Sequence, residues 1–269
     1  MNIFYYKYIG NFGKGVFIAL KKYIILSDIH SNWGALQQLE SIKEFKEENS
    51  HVIFAGDYID GEEQEFGYGL KVLDYIIDLV EKNKATALLG NHDEFWVKTN
   101  IYNFEAYDLW ILNGARETFE KNGLINSKSF LEVVNMINSD ELYKYTKFLS
   151  GLPKKFITDN ILVVHAGIDW SVNIHEQDEY DLLWIRDSYI YPRIDINDIP
   201  KENLKRVIVT GHTPTIYMTK DKICDVLTYE YPCKRYFIDG GSKMGRKKGQ
   251  INVLVLDELG NELNRYVLK

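Results

Sequence analysis

Tyr23-Ile24-Ile25-Leu26-Ser27-Asp28-Ile29-His30 is an apolar run of strand length that ends in an aspartate and a histidine. The same arrangement recurs four times. Val52 to Ala55 precedes Gly56-Asp57-Tyr58-Ile59-Asp60, and Ala85 to Leu89 precedes Gly90-Asn91-His92-Asp93. Ile161 to Val164 precedes His165-Ala166-Gly167, and Val207 to Val209 precedes Gly211-His212-Thr213. Each run is short and mostly β-branched or aliphatic, as a buried strand is. Polar patches leaving several strands at the same end can converge on one point.

Amphipathic stretches separate the first three runs. Leu36, Leu39, Ile42 and Phe45 recur every three residues and predict a helix over 33–47. Val72, Leu73, Ile76, Ile77 and Val80 predict another over 68–82. Strand–helix–strand–helix–strand at these lengths implies parallel strands with right-handed crossovers. Ligands of such sheets bind beyond the carboxyl ends of the strands. Residues 93–151 carry no repeated strand signal and read as short helices forming a cap. Strands return from Phe156, with Cys224 to Tyr229, Lys234 to Asp239, Ile251 to Leu256 and Glu262 to Leu268 as further candidates. The expected fold is α/β: two mixed β-sheets in a sandwich flanked by helices, with a site at the carboxyl-terminal strand edge and a helical cap insertion.

Composition narrows the function classes. The 269 residues are 45% hydrophobic and carry a formal net charge of −7. An acidic chain is a poor candidate for nucleic-acid binding, which rests on Lys and Arg contacts to phosphate. No apolar run reaches membrane-spanning length and no secretory signal is read in it, so the expectation is no membrane partner and a cytoplasmic location. Cys224 and Cys233 show no metal or redox spacing and fit packing in a reducing compartment. Residues 1–21 read as an extension of unknown role, an edge strand or a partner contact.

The polar patches carry the chemistry. Asp28 and His30, two apart, can face one way and offer an oxygen and a nitrogen to one cation. Asp57 has two oxygens, enough to bridge two cations. Asn91, His165 and His212 supply neutral ligands for a second. Six such ligands with a shared aspartate would hold two ions roughly 3.5–4 Å apart. Mixed oxygen and nitrogen donors suit Mn, Fe, Zn or Co in the divalent or trivalent state.

In order, SDIHS, GDYIDGE, GNHDE, HAG and GHTPT resemble the signature motifs of the calcineurin-like metallophosphoesterases, and within them the bacterial branch of the phosphoprotein (serine/threonine) phosphatases. The resemblance runs from Lys22 to the C-terminus and makes 22–269 one metallophosphoesterase domain with its cap at about 94–151. Trp110-x-x-Asn113-Gly114, Leu152-Pro153, Leu183-Trp184-Ile185-Arg186 and Ile238-Asp239-Gly240-Gly241 extend it. It implies that Asp28 and His30 bind the first metal, that Asp57 bridges, and that Asn91, His165 and His212 bind the second. It also implies that His92 protonates the leaving oxygen, oriented by Asp60. The implied activity is phosphomonoester hydrolysis on a phosphorylated protein or a small-molecule phosphate.

One motif departs from the pattern. The family's Asp-Arg-Gly reads Asp60-Gly61-Glu62, so the arginine that clamps phosphate is missing. Arg186 is the surviving phosphate ligand of the pattern, or else a structural arginine against Trp184. Arg116 is a second candidate and Asn91 a third contact; a solvated helix position is the alternative for Arg116. The basic stretch Lys243 to Lys248 after Gly240-Gly241 reads as a solvated turn, with attraction of an anionic substrate as the alternative. Two other readings stay open: a dinucleoside polyphosphate hydrolase, whose enzymes share these motifs, and a non-catalytic scaffold that retains the fold.

Overall fold

The computed structural model describes residues 6–9, 16–61, 68–121, 129–245 and 248–269. Twelve strands run in chain order: β1 Tyr6–Ile9, β2 Val16–Ala19, β3 Lys22–Leu26, β4 Ser50–Phe54, β5 Ala85–Ala87, β6 Lys155–Ile157, β7 Ile161–Val164, β8 Val207–Thr210, β9 Leu227–Tyr229, β10 Arg235–Phe237, β11 Ile251–Asp257 and β12 Glu262–Leu268. Ten of them form two five-stranded sheets, ordered β12-β11-β3-β4-β5 and β6-β7-β8-β10-β9. Within each, three strands are parallel (β3, β4, β5 and β7, β8, β10) and the flanking strands are antiparallel. This is the expected sandwich of two mixed sheets.

Alternation along the strands explains why the runs are apolar throughout. Tyr23, Ile25, Ile53 and Ala55 point between the sheets, where they meet Ile161, Val163, Val209, Tyr236 and Ile238. Ile24, Leu26, Val52 and Phe54 point outward under the helices. On the other sheet, Leu162, Val164, Ile208 and Phe237 pack outward against Trp170 and Tyr189. Strands covered on both faces carry no polar alternation.

The helices that matter for the site are α1 Trp33–Leu36, α2 Tyr68–Glu81, α3 Asn91–Asn100, α4 Phe104–Leu112, α5 Ala115–Lys121, α6 Phe130–Ile137, α7 Tyr143–Ser150 and α8 Glu179–Trp184. The helix expected over 33–47 is instead one α-helical turn followed by 3₁₀ turns at Gln37–Ser41 and Glu44–Lys46. The spacing explains the difference. Apolar residues exactly three apart stay on one face at three residues per turn, the 3₁₀ period, and drift off it at 3.6. Leu36, Leu39 and Ile42 are buried accordingly. Strand β9 begins only at Leu227, because Cys224 and Asp225 turn aside to bond Gln250 and Asn252.

Helices α3 to α7 occupy the stretch read as a cap and close over the first sheet. Backbone at β1 and β2 pairs antiparallel as a separate two-stranded sheet, and the rest of the 1–21 extension up to residue 15 lies outside the described residues. No described helix is long and apolar enough to cross a membrane.

Candidate metal centre and phosphoryl-transfer site

The parallel ladders continue past the strand ends and bring the loops together. Asp28 N–H donates to Gly56 O (3.0 Å), His30 N–H to Asp57 O (3.0 Å) and Gly211 N–H to His165 O (2.8 Å). The chain then turns sharply. Asp28, His30, Ser31, Asp57, Asp60 and His212 all have positive φ, between 46° and 67°. Six of the nine described non-glycine residues with positive φ are therefore in these loops. Such backbone costs of order 1–3 kcal/mol per residue and persists only where surrounding contacts impose it.

Two glycines permit the close approach. A Cβ on Gly90 would collide with Asp57 N and Oδ1, and one on Gly211 with Ser27 Oγ and Asp28 Oδ2. Asp93 fixes the same crossing from the other side. As the third residue of α3, it accepts from Gly90 N (3.0 Å), Asp57 N (2.8 Å) and Tyr58 N (3.1 Å). The third position of a helix suits a carboxylate that reaches back to unpaired N–H groups.

The predicted ligands lie together and are buried. Asp57 Oδ2 is 3.5 Å from His30 Nε2, while Oδ1 is 3.4 Å from His165 Nε2. Asp28 Oδ1 is 4.0 Å from His30 Nε2. Asn91 Oδ1 lies 2.8 Å from both His165 Nε2 and His212 Nδ1. Two triads of donor atoms, His30–Asp57–His92 and Asp28–Asp57–His165, each lie within 4.8 Å, and Asp57 belongs to both.

The tautomers give this cluster donors that could hold a cation. His30 Nδ1 faces Ile59 O (2.8 Å), His165 Nδ1 faces Ala55 O (2.8 Å) and His212 Nε2 faces Trp184 O (3.3 Å). A carbonyl only accepts, so each of these nitrogens carries the ring hydrogen. The opposite nitrogens are then bare lone pairs, and they point at Asp57 and at the Asn91 carbonyl oxygen. Acceptors facing acceptors at 2.8 Å have no hydrogen between them, and a positive ion satisfies all of them at once. Burial supports the neutral rings. It pushes His30 down to about 3 and, with His165 and Arg186 nearby, His212 well below the usual histidine range. Anchoring the second ring nitrogen on a carbonyl is how metal-ligating histidines are oriented.

His92, the third member of the first triad, is held differently, by a carboxylate. Its backbone N–H donates to Asp57 Oδ1 (3.0 Å), and its Nδ1 bonds Asp60 Oδ2 (2.9 Å). Burial opposes its charge, but the carboxylates of Asp57 and Asp60 outweigh burial and raise its pKa. Asp60 is itself held: Trp110 Nε1 donates to Oδ2 (2.8 Å) and Thr118 Oγ1 to Oδ1 (2.6 Å). Trp110 reads from sequence as a core residue. It is fully buried, and it also supplies this hydrogen bond.

The candidate phosphate ligands divide. Arg186 Nη1 donates to His212 O (2.9 Å) and Thr213 Oγ1 (2.9 Å), so it rims the centre. Arg116 is placed elsewhere. It is exposed on α5 and lines a cap recess of about 370 Å³ with Tyr107, Phe119 and Phe130. The reason is helical phase: Thr118, two residues on, takes the inward face toward Asp60. Lys243, read as part of a solvated turn, instead lies 3.0 Å from His92 Nε2. The residue before it anchors the loop: Ser242 Oγ donates to Ile29 O (3.1 Å), beside His30. Glu62 lies outside the described residues.

Residues 21–240 match the calcineurin-like phosphoesterase family, which is most of the chain. The chain belongs to that family. Its members are metal-dependent hydrolases of phosphoric esters. No curated protein matches the sequence. Among solved structures, a protein provisionally assigned as a diadenosine tetraphosphatase is 16% identical with a TM-score of 0.58, covering 93% of this chain and 95% of that one. A mutant of a cold-active protein tyrosine phosphatase is 16% identical with a TM-score of 0.59, covering 93% and 81%. A serine/threonine phosphatase from Saccharomyces cerevisiae is 14% identical with a TM-score of 0.54, covering 93% and 80%. Likeness at these identities is a likeness of fold.

Proposed function

We propose that this chain is a dinuclear phosphomonoesterase of the bacterial phosphoprotein-phosphatase type. The observation that carries the reading is the split carboxylate of Asp57, which offers one oxygen to the His30 side and the other to the His165 side. Asp28, His30 and Asp57 would hold one ion; Asp57, Asn91, His165 and His212 would hold the other. Two bound ions of the Mn, Fe, Zn or Co type supply Lewis-acid charge and a nucleophile at neutral pH.

The remaining roles belong to the protein's own groups. His92 delivers a proton from Nε2 to the leaving oxygen. Asp60 stabilises the imidazolium from the Nδ1 side, as a buried hydrogen-bonded carboxylate does. Trp110 and Thr118 keep that carboxylate aimed at His92 rather than at solvent. Arg186, at the rim beside Thr213, would bind a phosphoryl oxygen in the two-pronged geometry its guanidinium favours. A phosphorylated protein or small phosphate is the expected partner.

Hydrolysis of a generic aryl phosphate with Mn tests the reading. Wild-type protein is expected to turn over and Asp57→Asn to fall below detection. Equal turnover in both would remove Asp57 from its role. A phosphopeptide and diadenosine tetraphosphate at equal concentration then separate phosphomonoester hydrolysis from dinucleoside polyphosphate hydrolysis. Faster cleavage of the second would replace the first assignment.

A further inference from the structure

We propose that Lys243 is a substrate ligand: it binds a phosphoryl oxygen on the leaving-group side of the site and takes over the function of the arginine missing at position 61. This inference rests on the phosphoesterase reading above.

Three observations on separate elements support it. The first is contact. Lys243 Nζ lies 3.0 Å from His92 Nε2 and 3.3 Å from Asn113 O. Its partners are a ring nitrogen of His92 and a peptide carbonyl, and no ion pair joins it to a carboxylate among the described residues. A half-buried ammonium whose described contacts include no carboxylate attracts an anion. It also occupies the space in front of the one His92 nitrogen that can reach a leaving oxygen. Anything that accepts a proton from His92 must enter beside this ammonium.

The second is placement. The loop after β10 is fixed by hydrogen bonds just before the lysine. Gly241 adopts a φ of 73° and its N–H donates to Asp239 Oδ1 (2.7 Å). Ser242 donates to Ile29 O and accepts from Asn32 Nδ2 (3.2 Å). The backbone that carries Lys243 is thus tied to the His30 turn, which sits on the metal side of His92. The cation is aimed at the site by buried hydrogen bonds two and one residues before it.

The third is space. A recess of about 350 Å³ opens beside His92, bounded by Asp60, Gly61, Leu112, Asn113, Gly114 and Lys243. Glycine at 61 contributes no side chain to it, whereas a guanidinium there would compete with Lys243 for the same anion. The charge removed at position 61 is supplied by another residue lining the recess, 182 positions later in sequence.

The test uses full-length protein with Mn, an aryl phosphate as substrate and inorganic phosphate as the binding probe. Lys243→Met is expected to lower kcat/KM and weaken phosphate, read as its inhibition constant and as the rise in melting temperature it gives. The expected change is about tenfold to a hundredfold in affinity, the usual worth of a charge-assisted hydrogen bond. Lys243→Arg should recover most of it. The double variant Gly61→Arg with Lys243→Met should recover part of it, since it returns a cation to the same recess. Lys243→Gln, with unchanged metal content, guards against misfolding of the methionine variant. Phosphate affinity unchanged in both charge-removing variants would overturn the proposal, including when kcat alone falls, because that pattern describes an effect on His92 rather than a ligand. A wild-type protein inactive toward aryl phosphate but still stabilised by phosphate through Lys243 would instead count against the phosphomonoesterase reading.

Discussion

The floor of the site and its rim are built by different means. On the floor, each proposed histidine ligand is anchored through its far nitrogen to a main-chain carbonyl: Ile59, Ala55 and Trp184. The backbone beneath is locked by positive-φ turns and by the three bonds Asp93 accepts. On the rim, Arg186 and Lys243 reach their partners from long, partly exposed side chains on separate loops. A floor of this kind tolerates no change of ligand or of spacing. A rim of this kind can lose a cation at one position and supply it at another. The difference teaches where specificity can change in this chain without touching the chemistry.

The comparison breaks most readily at the floor. Asp57→Asn removes charge from both halves at once and is expected to abolish turnover. His92→Ala should retain metal yet lose about a hundredfold to ten-thousandfold in kcat, the usual worth of a general acid. If metal content fell with it, His92 would belong to the floor. Gly90→Ala forces a methyl into Asp57 and should cost about 1–3 kcal/mol of stability, measurable as a shift in a urea midpoint.

Acidity sharpens the same contrast. Asp57 and Asp60 raise the pKa of His92, so the acid form needed for proton donation persists above the ordinary histidine value and is lost as pH rises through the raised value. Asp60→Asn removes part of that support. The basic limb of the kcat/KM profile is then expected to move to lower pH, with a smaller maximum. A limb that stays in place would detach Asp60 from His92. At the small end, Arg116→Ala should leave kcat/KM within about twofold, as for a surface position away from substrate.

Much of the fold was readable because both sheets are buried on two faces. The strands Tyr23 to Leu26 and Ile161 to Val164 are therefore unbroken apolar runs, and the polar residues after them mark the sheet edge. That Asp28, His30, Asp57, Asn91, His165 and His212 would lie together was readable for the same reason: each follows a strand end within a few residues. The 3₁₀ turns after α1 were not, because four apolar residues spaced by three also fit one side of an α-helix. Thr118 and Lys243 were hidden by distance. Nothing local marks a threonine on α5 as the partner of Asp60, or a lysine after β10 as the neighbour of His92. Only the closing of α4 and α5 over one sheet and the tying of the Ser242 loop to Ile29 bring them in.

Metal counting on protein equilibrated with Mn and freed of excess ion tests the central claim most directly. The account predicts about two ions per chain in the wild type and at most about one in Asp57→Asn, since one carboxylate serves both positions. A wild-type protein that saturates at about one ion, or an Asp57→Asn variant that still holds about two, would contradict it.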